Sequence, residues 1–334
     1  MIENAILPNH AVTEKIPTLP LLRNVGTPTA AEQAHHASIL AEATSDNTRR
    51  AYRSAIKHFL SWGGVLPADE PTMIRYLLAY AETLNPRTLA LRLTALSQWH
   101  LSQGFPDPAS TLTVRKTLKG LSRRHGVPKK KAKALPLDAL EAIVSCLAKR
   151  DTLKAKRDNA LLQLAFFGGF RRSEVAALQL DYVQWEAQGI TLTLPRSKTD
   201  QSGEGITKAI PYGDGVCCPA KALRIWLAAA GITAGPLFRR VDKWEAVGAQ
   251  ALNAASVNTI LSESAKLAHL DYVPELSSHS LRRGMATSAH RAGADFKDIK
   301  RQGGWRHDGT VQAYIEEASQ FEGNAAGAIL KRKK

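Results

Sequence analysis

The chain has 334 residues, which corresponds to about two domains of ordinary size. Its 45 Lys and Arg against 30 Asp and Glu give a formal net charge of +15, and 44% of its residues are hydrophobic. This composition excludes wholesale disorder and low complexity, and no stretch reaches the roughly 18 apolar residues of a membrane span. We expect no secretory signal, and three cysteines that cannot pair evenly fit a reducing compartment, so the prediction is a cytoplasmic protein.

The N-terminal third of the chain predicts a mobile leader followed by a small helical domain. Residues 1–37 lack a sustained hydrophobic period and are interpreted as the leader. Residues 38–126 carry four apolar stripes at helical spacing, which predict four amphipathic helices. Ser45 is a candidate cap of the first helix, Pro71 opens the second, and Gly104 and Gly126 follow the third and fourth. The stripes include Tyr52, Ala55, Ile56 and Phe59; Ile74, Leu77 and Leu78; Leu89, Leu93 and Leu96; and Val114, Leu118 and Leu121.

A strongly basic segment follows and predicts a hinge, the linker 127–136. Between Arg115 and Lys133 there are nine Lys or Arg and no acid. A solvated linker and a polyanion-binding segment are both consistent with such a cluster, and only the second would make affinity fall steeply with salt. The candidates for phosphate contacts are Arg115, Lys116, Lys119, Arg123, Arg124, Lys129, Lys130 and Lys131.

Residues 137–334 predict a second domain that is mostly α with a small antiparallel sheet. Ile190, Leu192 and Leu194 alternate with more polar residues, and residues 208–212 can return as a partner strand. This arrangement is a β-hairpin with Lys198 near its tip. Helical patterning resumes at Pro219 and continues to the end.

The signatures of several enzyme classes are missing from this chain. It has no phosphate-binding Gly-rich loop, no nucleophile elbow and no His-Glu-x-x-His. Asp295, Asp298 and Asp308 are scattered and are interpreted as helix-surface or capping residues, so we expect no metal and no cofactor. Phosphate chemistry would then depend on cationic side chains and a covalent nucleophile.

Four local patterns fit that requirement. They are Gly169-x-Arg171-x-x-Glu174, the hairpin Lys198, His279-x-x-Arg282, and Trp305 nine residues before Tyr314. Each pattern alone is compatible with an ordinary surface pair, a solvated lysine or a packed aromatic. Their order along the chain is what makes them informative.

In this order the patterns resemble the tyrosine recombinase (phage integrase) family, over about residues 45–330. The resemblance implies a mainly α fold in which a helical, SAM-like core-binding domain at 38–126 precedes a mostly α catalytic domain at 137–334. It implies site-specific cleavage and rejoining of DNA through a 3′-phosphotyrosine, without metal or ATP. The implied partners are double-stranded DNA with an inverted-repeat site and three further copies of the chain, which form a homotetramer on two duplexes.

The resemblance also assigns roles to individual residues. Tyr314 is the implied nucleophile, Arg171 and Arg282 the catalytic arginines, and Glu174 the support of the first arginine. His279 takes the usual histidine place and is the candidate base, and Lys198 is the hairpin lysine that would protonate the leaving 5′ oxygen. Trp305 stands where many relatives have His, which leaves it an N–H donor or packing role.

Further basic residues are candidates for DNA contact, and one apolar segment is a candidate for assembly. Arg49 and Arg50 begin the helical domain, and Arg172 and Arg283 flank the proposed site. The resemblance implies that Ile329-Leu330 docks on a neighbouring protomer, with a cap on its own domain as the alternative. Two other functions stay open: relaxation of DNA by a type IB topoisomerase-like enzyme, and DNA binding without catalysis.

Overall fold

The computed structural model describes residues 29–128, 130–195, 205–319 and 325–330. The chain divides into two compact units, Met1–Lys129 and Lys130–Lys334, here called the N-terminal unit and the C-terminal unit.

Five α-helices and one short 3-10 helix, Pro108–Ser110, lie in the described part of the N-terminal unit. The α-helices are α1 (Ala30–Glu42), α2 (Asp46–Ser61), α3 (Glu70–Ala79), α4 (Pro86–Ser102) and α5 (Leu112–His125). The predicted helices are confirmed as α2 to α5, and Ser45 caps α2 because its side chain accepts from the Thr48 N–H. Gly126 follows the last residue of α5, as predicted.

The range predicted as a mobile leader, residues 1–37, overlaps a helix that the sequence pattern does not indicate. Helix α1 begins at Ala30, and Thr29 and Glu32 form a capping box at its start. Its described side chains are exposed, so helix propensity and capping form this element rather than burial of an apolar face. A search for an apolar stripe therefore misses it.

Most residues of the predicted stripes are buried in the core of the N-terminal unit or packed against it, but Leu78 is 58% exposed, and Tyr76, which belongs to no predicted stripe, is fully buried. Phe59, Leu89, Leu96 and Val114 are fully buried in the same core. The Tyr76 hydroxyl lies 2.8 Å from His58 Nδ1, so this tyrosine has a structural partner.

The C-terminal unit is mainly helical and contains two small antiparallel sheets. Its elements are α6 (Leu137–Ala148), α7 (Leu153–Phe167), α8 (Arg172–Ala176), β1 (Val183–Glu186), β2 (Gly189–Leu194), β3 (Ile206–Pro211), α9 (Pro219–Ala230), β4 (Arg239–Val241), β5 (Val247–Ala251), α10 (Ser256–Leu267), α11 (Ser278–Arg291), α12 (Phe296–Gly303), α13 (Asp308–Ala318) and α14 (Ala325–Leu330). The predicted fold class, mainly α with a small antiparallel sheet, is confirmed.

The predicted hairpin is the pair of strands β2 and β3. They are antiparallel, Leu192 stands opposite Lys208, and β1 adds a third strand beside β2. Strands β4 and β5 form a separate hairpin that the sequence analysis does not predict.

Helix α7 lies at the centre of this unit. Leu161, Leu162 and Leu164 are fully buried along it, and α9 packs against it. The chain leaves α7 through Gly168 and Gly169, and Gly169 has φ of 54°, a conformation that favours glycine. This turn places the following residues, which include Arg171, at the end of the packed helix. Among the residues described, no helix is long and apolar enough to cross a membrane.

Candidate active site

Arg171 is held at the start of α8 by Glu174. The Arg171 backbone N–H donates to Glu174 Oε2 at 2.8 Å, and its Nη1 donates to Glu174 Oε1 at 2.5 Å. Glu174 is buried, so the carboxylate fixes the guanidinium from the protein side while the Arg171 side chain stays 21% exposed. The predicted Arg171–Glu174 pair is therefore formed.

Arg282 lies on α11 and reaches the same turn from a distant part of the sequence. Its Nη1 donates to the Gly169 carbonyl oxygen, 113 residues away along the chain. Its Nη2 is buried and has no hydrogen-bond partner among the described residues. A buried donor without a partner costs free energy, so this Nη2 is a group for which a ligand oxygen would be favourable.

Trp305 and Tyr314 complete a continuous set of contacts with Arg282. The Arg282 guanidinium carbon lies 4.1 Å from the centre of the Trp305 ring, and the Trp305 and Tyr314 ring centres are 5.8 Å apart in an edge-to-face arrangement. Trp305 is buried against Gly303, where a Cβ would come within 1.8 Å of the indole. Tyr314 lies on α13, which the fully buried Val311 anchors.

The electrostatics of the site are those of clustered cations. Burial, and then the nearby charge of Arg171, lower the pKa of Arg282 to about 10, while the Glu174 and Tyr314 charges act in the opposite direction. Arg282 thus remains a cation at neutral pH in a setting that is short of negative charge. Such a site favours a bound anion, or a negative charge that develops during a reaction.

His279 lies one helical turn before Arg282, in the first turn of α11. Ser277 caps that helix, and its hydroxyl oxygen accepts from the His279 backbone N–H at 3.3 Å. The residue is exposed, which leaves its imidazole accessible from solvent. Lys198 lies outside the described residues.

A second lysine of the hairpin, Lys208, is a residue that the sequence analysis missed. It is 3% exposed, and its Nζ donates to the carbonyl oxygens of Gly168 at 2.6 Å and Gln302 at 2.7 Å. Burial, and then the charge of Arg282, lower its pKa to about 7. The available signal was its inward position between Ile206 and Ile210 in the alternating pattern of β3.

Most predicted DNA contacts lie at the surface, and one does not. Arg283 is 4% exposed; its Nη1 donates to the Ala132 carbonyl oxygen and its Nη2 to Glu317. The prediction that Arg283 contacts DNA is not supported by this placement, because the side chain is buried and both of its Nη groups contact protein. Lys129 lies outside the described residues. Arg49 is partly exposed, and the other described candidates are exposed: Arg50, Arg115, Lys116, Lys119, Arg123, Arg124, Lys130, Lys131 and Arg172.

The three scattered aspartates have the structural roles that the sequence predicts. Asp295 caps α12, Asp298 pairs with Arg301, and Asp308 pairs with Lys300. In the described ranges no group of three or more His, Cys, Asp or Glu side chains lies close enough together to hold a metal ion.

Comparisons with known proteins agree with this geometry. Residues 133–320 match the model of the phage integrase family. An integrase/recombinase XerD homologue from Selenomonas ruminantium is 33% identical over 302 residues, which are 88% of each chain. The solved XerH site-specific recombinase bound to a palindromic difH substrate covers 85% of this chain and 80% of its own, with a TM-score of 0.59 at 16% identity. A lambda integrase tetramer bound to a Holliday junction covers 86% of this chain and 76% of its own, with a TM-score of 0.55 at 16% identity.

The fold and the clustered site thus define a tyrosine recombinase. The chain belongs to the phage integrase family, and its enzyme class is that of the tyrosine site-specific recombinases.

Proposed function

We propose that this protein cleaves and rejoins DNA strands at a specific site, with Tyr314 as the nucleophile. The observation that carries the proposal is the continuous contact from Tyr314 through Trp305 to Arg282, next to the Arg171–Glu174 pair. Two guanidinium groups from distant parts of the chain are thereby available to one phosphodiester beside one phenol. Family membership supports the same assignment.

The chemistry balances with side chains alone. The phenol must lose its proton as its oxygen attacks phosphorus, so the step requires a base, for which His279 is the candidate. The Tyr314 oxygen forms a bond to phosphorus, the bond from phosphorus to the 5′ oxygen breaks, and the predicted Lys198 supplies the proton to that oxygen. Rejoining reverses these steps, and the phosphotyrosine ester conserves the energy of the broken bond.

Arg171 and Arg282 stabilise the charge that develops on the non-bridging oxygens. The Nη2 of Arg282, which has no hydrogen-bond partner among the described residues, is a donor for one of them. A donor of this kind contributes on the order of 10² to 10³ in rate. Trp305 supports the Arg282 guanidinium with the face of its ring, which favours packing over N–H donation, the two roles left open for it by the sequence.

We further propose a homotetramer on two duplexes that carry an inverted-repeat site, and a cytoplasmic location where DNA is accessible. Support for the tetramer comes from the lambda integrase structure, which is a tetramer on a Holliday junction. Ile329 and Leu330 on α14 are 68% and 83% exposed, which suits docking on a neighbouring protomer better than a cap on their own unit. Trp305 in place of the commoner His favours a site similar to that of Cre.

Trapping of a covalent adduct tests this function. Duplexes that bind the protein are selected from a random pool, and the selected sequence is then prepared with a nick that lets the cleaved end diffuse away. We expect the wild-type protein to form a denaturant-resistant adduct, and Tyr314→Phe to bind equally well without forming one. Binding without any adduct from the wild type would instead support a DNA-binding protein that lacks catalysis.

The alternative of a type IB topoisomerase-like enzyme predicts a different dependence on protein concentration. Such an enzyme acts on one duplex as a monomer, so it would relax any supercoiled plasmid at low protein concentration. A site-specific tetramer requires its selected sequence and acts with a steep concentration dependence. Relaxation of a plasmid without the selected site would favour the alternative.

A further inference from the structure

Arg283 occupies an unusual position for a buried cation, since it adjoins both the nucleophile and the segment through which the chain enters the C-terminal unit. Its guanidinium carbon lies 5.3 Å from the centre of the Tyr314 ring. One Nη donates to the Ala132 carbonyl oxygen and the other forms an ion pair with Glu317. The catalytic steps above do not use this side chain.

The segment around Ala132 is hydrogen-bonded to α11 and to the turn that precedes it. The Lys133 N–H donates to the Glu275 carbonyl oxygen at 3.1 Å, and the Leu135 N–H donates to the Ser280 carbonyl oxygen at 3.0 Å. A Cβ at Gly284 would lie 1.9 Å from the Leu135 carbonyl oxygen, so the two backbones are in close contact. The Arg283 contact with Ala132 is therefore made to a fixed part of the unit.

The contact with Glu317 connects that fixed part to the helix of the nucleophile. Glu317 lies three residues after Tyr314 on α13, so both side chains lie on the same side of the helix. Val311 anchors the first half of α13, and the Arg283–Glu317 ion pair holds the second half. Tyr314 lies between these two attachments.

We propose that Arg283 is a positioning residue for strand cleavage, which holds the Tyr314 ring beside Arg282 by tying α13 to α11 and to the Ala132 segment. The inference rests on the function proposed above. The planar guanidinium is suited to the task because it donates in two directions at once, to a carbonyl and to a carboxylate. A nucleophile displaced by about 1 Å loses on the order of a hundredfold in rate, so this tie acts on cleavage rather than on DNA binding.

Arg283→Met keeps the length of the side chain and removes its donors. On the nicked selected duplex, we expect the affinity of this variant to stay within about twofold and its adduct formation to slow by about tenfold to hundredfold. Arg291→Met removes a cation from the same helix and is the matched control, which should cleave at the wild-type rate. Cleavage by Arg283→Met at the wild-type rate, or a loss fully explained by weaker binding, would overturn the proposal.

Glu317→Gln tests the Arg283–Glu317 ion pair from its other side. The Glu317 side chain is 42% exposed, so this substitution leaves the buried surroundings of Arg283 unchanged. We expect slower adduct formation at unchanged affinity, and Glu316→Gln on the same helix is the control. If Arg283 acts through Glu317, the double variant cleaves no more slowly than Arg283→Met alone. Independent, multiplying losses would contradict this coupling.

Hydrogen exchange on the free protein separates failure of this inference from failure of the proposed function. We expect faster exchange of the amides in residues 308–318 in Arg283→Met than in the wild type and in Arg291→Met. Failure of the wild-type protein to form an adduct overturns the recombinase assignment. The exchange experiment still reports whether Arg283 holds α13 in place. Unchanged exchange in Arg283→Met overturns the tie itself.

Discussion

Lys208 fixes the relative position of two turns that bear catalytic candidates. Its Nζ donates to the Gly168 carbonyl before Arg171 and to the Gln302 carbonyl before Trp305. The ammonium also lies 4.8 Å from the centre of the Phe170 ring, which stabilises the cation in part. The burial of this cation among arginines destabilises the folded protein. The effect is measurable as a dependence of the free energy of unfolding on pH.

We expect Lys208→Met to remove a rise in stability above neutral pH. The pKa of Lys208 is lowered from its ordinary 10.5 to about 7 by burial first and by Arg282 second. Between these pH values the unfolded chain binds the proton and the folded chain does not, so the free energy of unfolding rises with pH, by up to about 1.4 kcal/mol per pH unit. Below about pH 7 both states are protonated and this contribution is constant.

Urea unfolding of the wild type and of Lys208→Met, from about pH 7 to about pH 9.5 under reducing conditions, measures this difference. The wild-type curve should climb relative to the variant over that range. Lys221→Met removes an exposed lysine from α9 and should follow the wild type. Parallel curves for the wild type and Lys208→Met would mean that Lys208 keeps an ordinary pKa in the folded protein.

The connection between α12 and α13 sets where Trp305 and Tyr314 lie. Gly304 ends α12 with φ of 64°, in the left-handed region, and the chain then turns into the Trp305 position. A Cβ at Gly304 would meet nothing closer than 3.9 Å, so the backbone conformation, rather than crowding, requires glycine here.

Gly304→Ala is therefore expected to lower the free energy of unfolding by about 1–2 kcal/mol. Gly309→Ala is the matched control, because Gly309 lies within α13 and a Cβ there meets nothing within 4 Å. Alanine at that helical position should raise stability by up to about 1 kcal/mol. Denaturant unfolding of both variants measures the two effects, and equal changes would contradict the assignment of backbone strain to Gly304.

The elements that could be predicted from the sequence are those whose burial is periodic. Helices α2 to α5 carry apolar stripes with clear caps, and the alternation at Ile190, Leu192 and Leu194 marks β2. Helix α1 has no buried face among its described side chains, and β5 is a mostly exposed strand of an irregular two-stranded hairpin. Neither element therefore shows a periodic pattern of buried apolar residues.

The structure brings several of the predicted site residues together with Glu174, the predicted support of Arg171, but two further supports gave no signal in the sequence. Arg171, Arg282, Trp305 and Tyr314 were found through the order of four short patterns, and the structure brings them together. Lys208 and Arg283 act through backbone carbonyls and a carboxylate that lie far away in sequence. These contacts join residues that are far apart in the sequence, so no short motif marks them. From the sequence alone, a lysine in a strand is interpreted as a solvated side chain, and an arginine in a basic chain as a surface or DNA-contacting cation.

The net charge of +15 favours association with a polyanion. The charge is concentrated around the sequence boundary of the two units, and Lys130 and Lys131, the first residues of the C-terminal unit, are exposed. If the segment that contains them runs along a duplex, each lysine that contacts a phosphate releases counterions on binding. The two interpretations of the basic linker then differ in the salt dependence of binding rather than in affinity at one salt concentration.

We expect the double substitution Lys130→Gln and Lys131→Gln to reduce the slope of log K against log salt concentration by about 2, since each phosphate contact contributes about 0.9. The control replaces two exposed lysines elsewhere in the C-terminal unit, Lys221→Gln and Lys266→Gln, which changes the net charge equally. Binding of the selected duplex at several salt concentrations gives both slopes. Long-range attraction depends on total charge, whereas counterion release depends on contact with phosphate. A loss of slope confined to the Lys130 and Lys131 substitutions therefore places DNA on this segment. An equal, small loss in both pairs makes the segment a solvated linker.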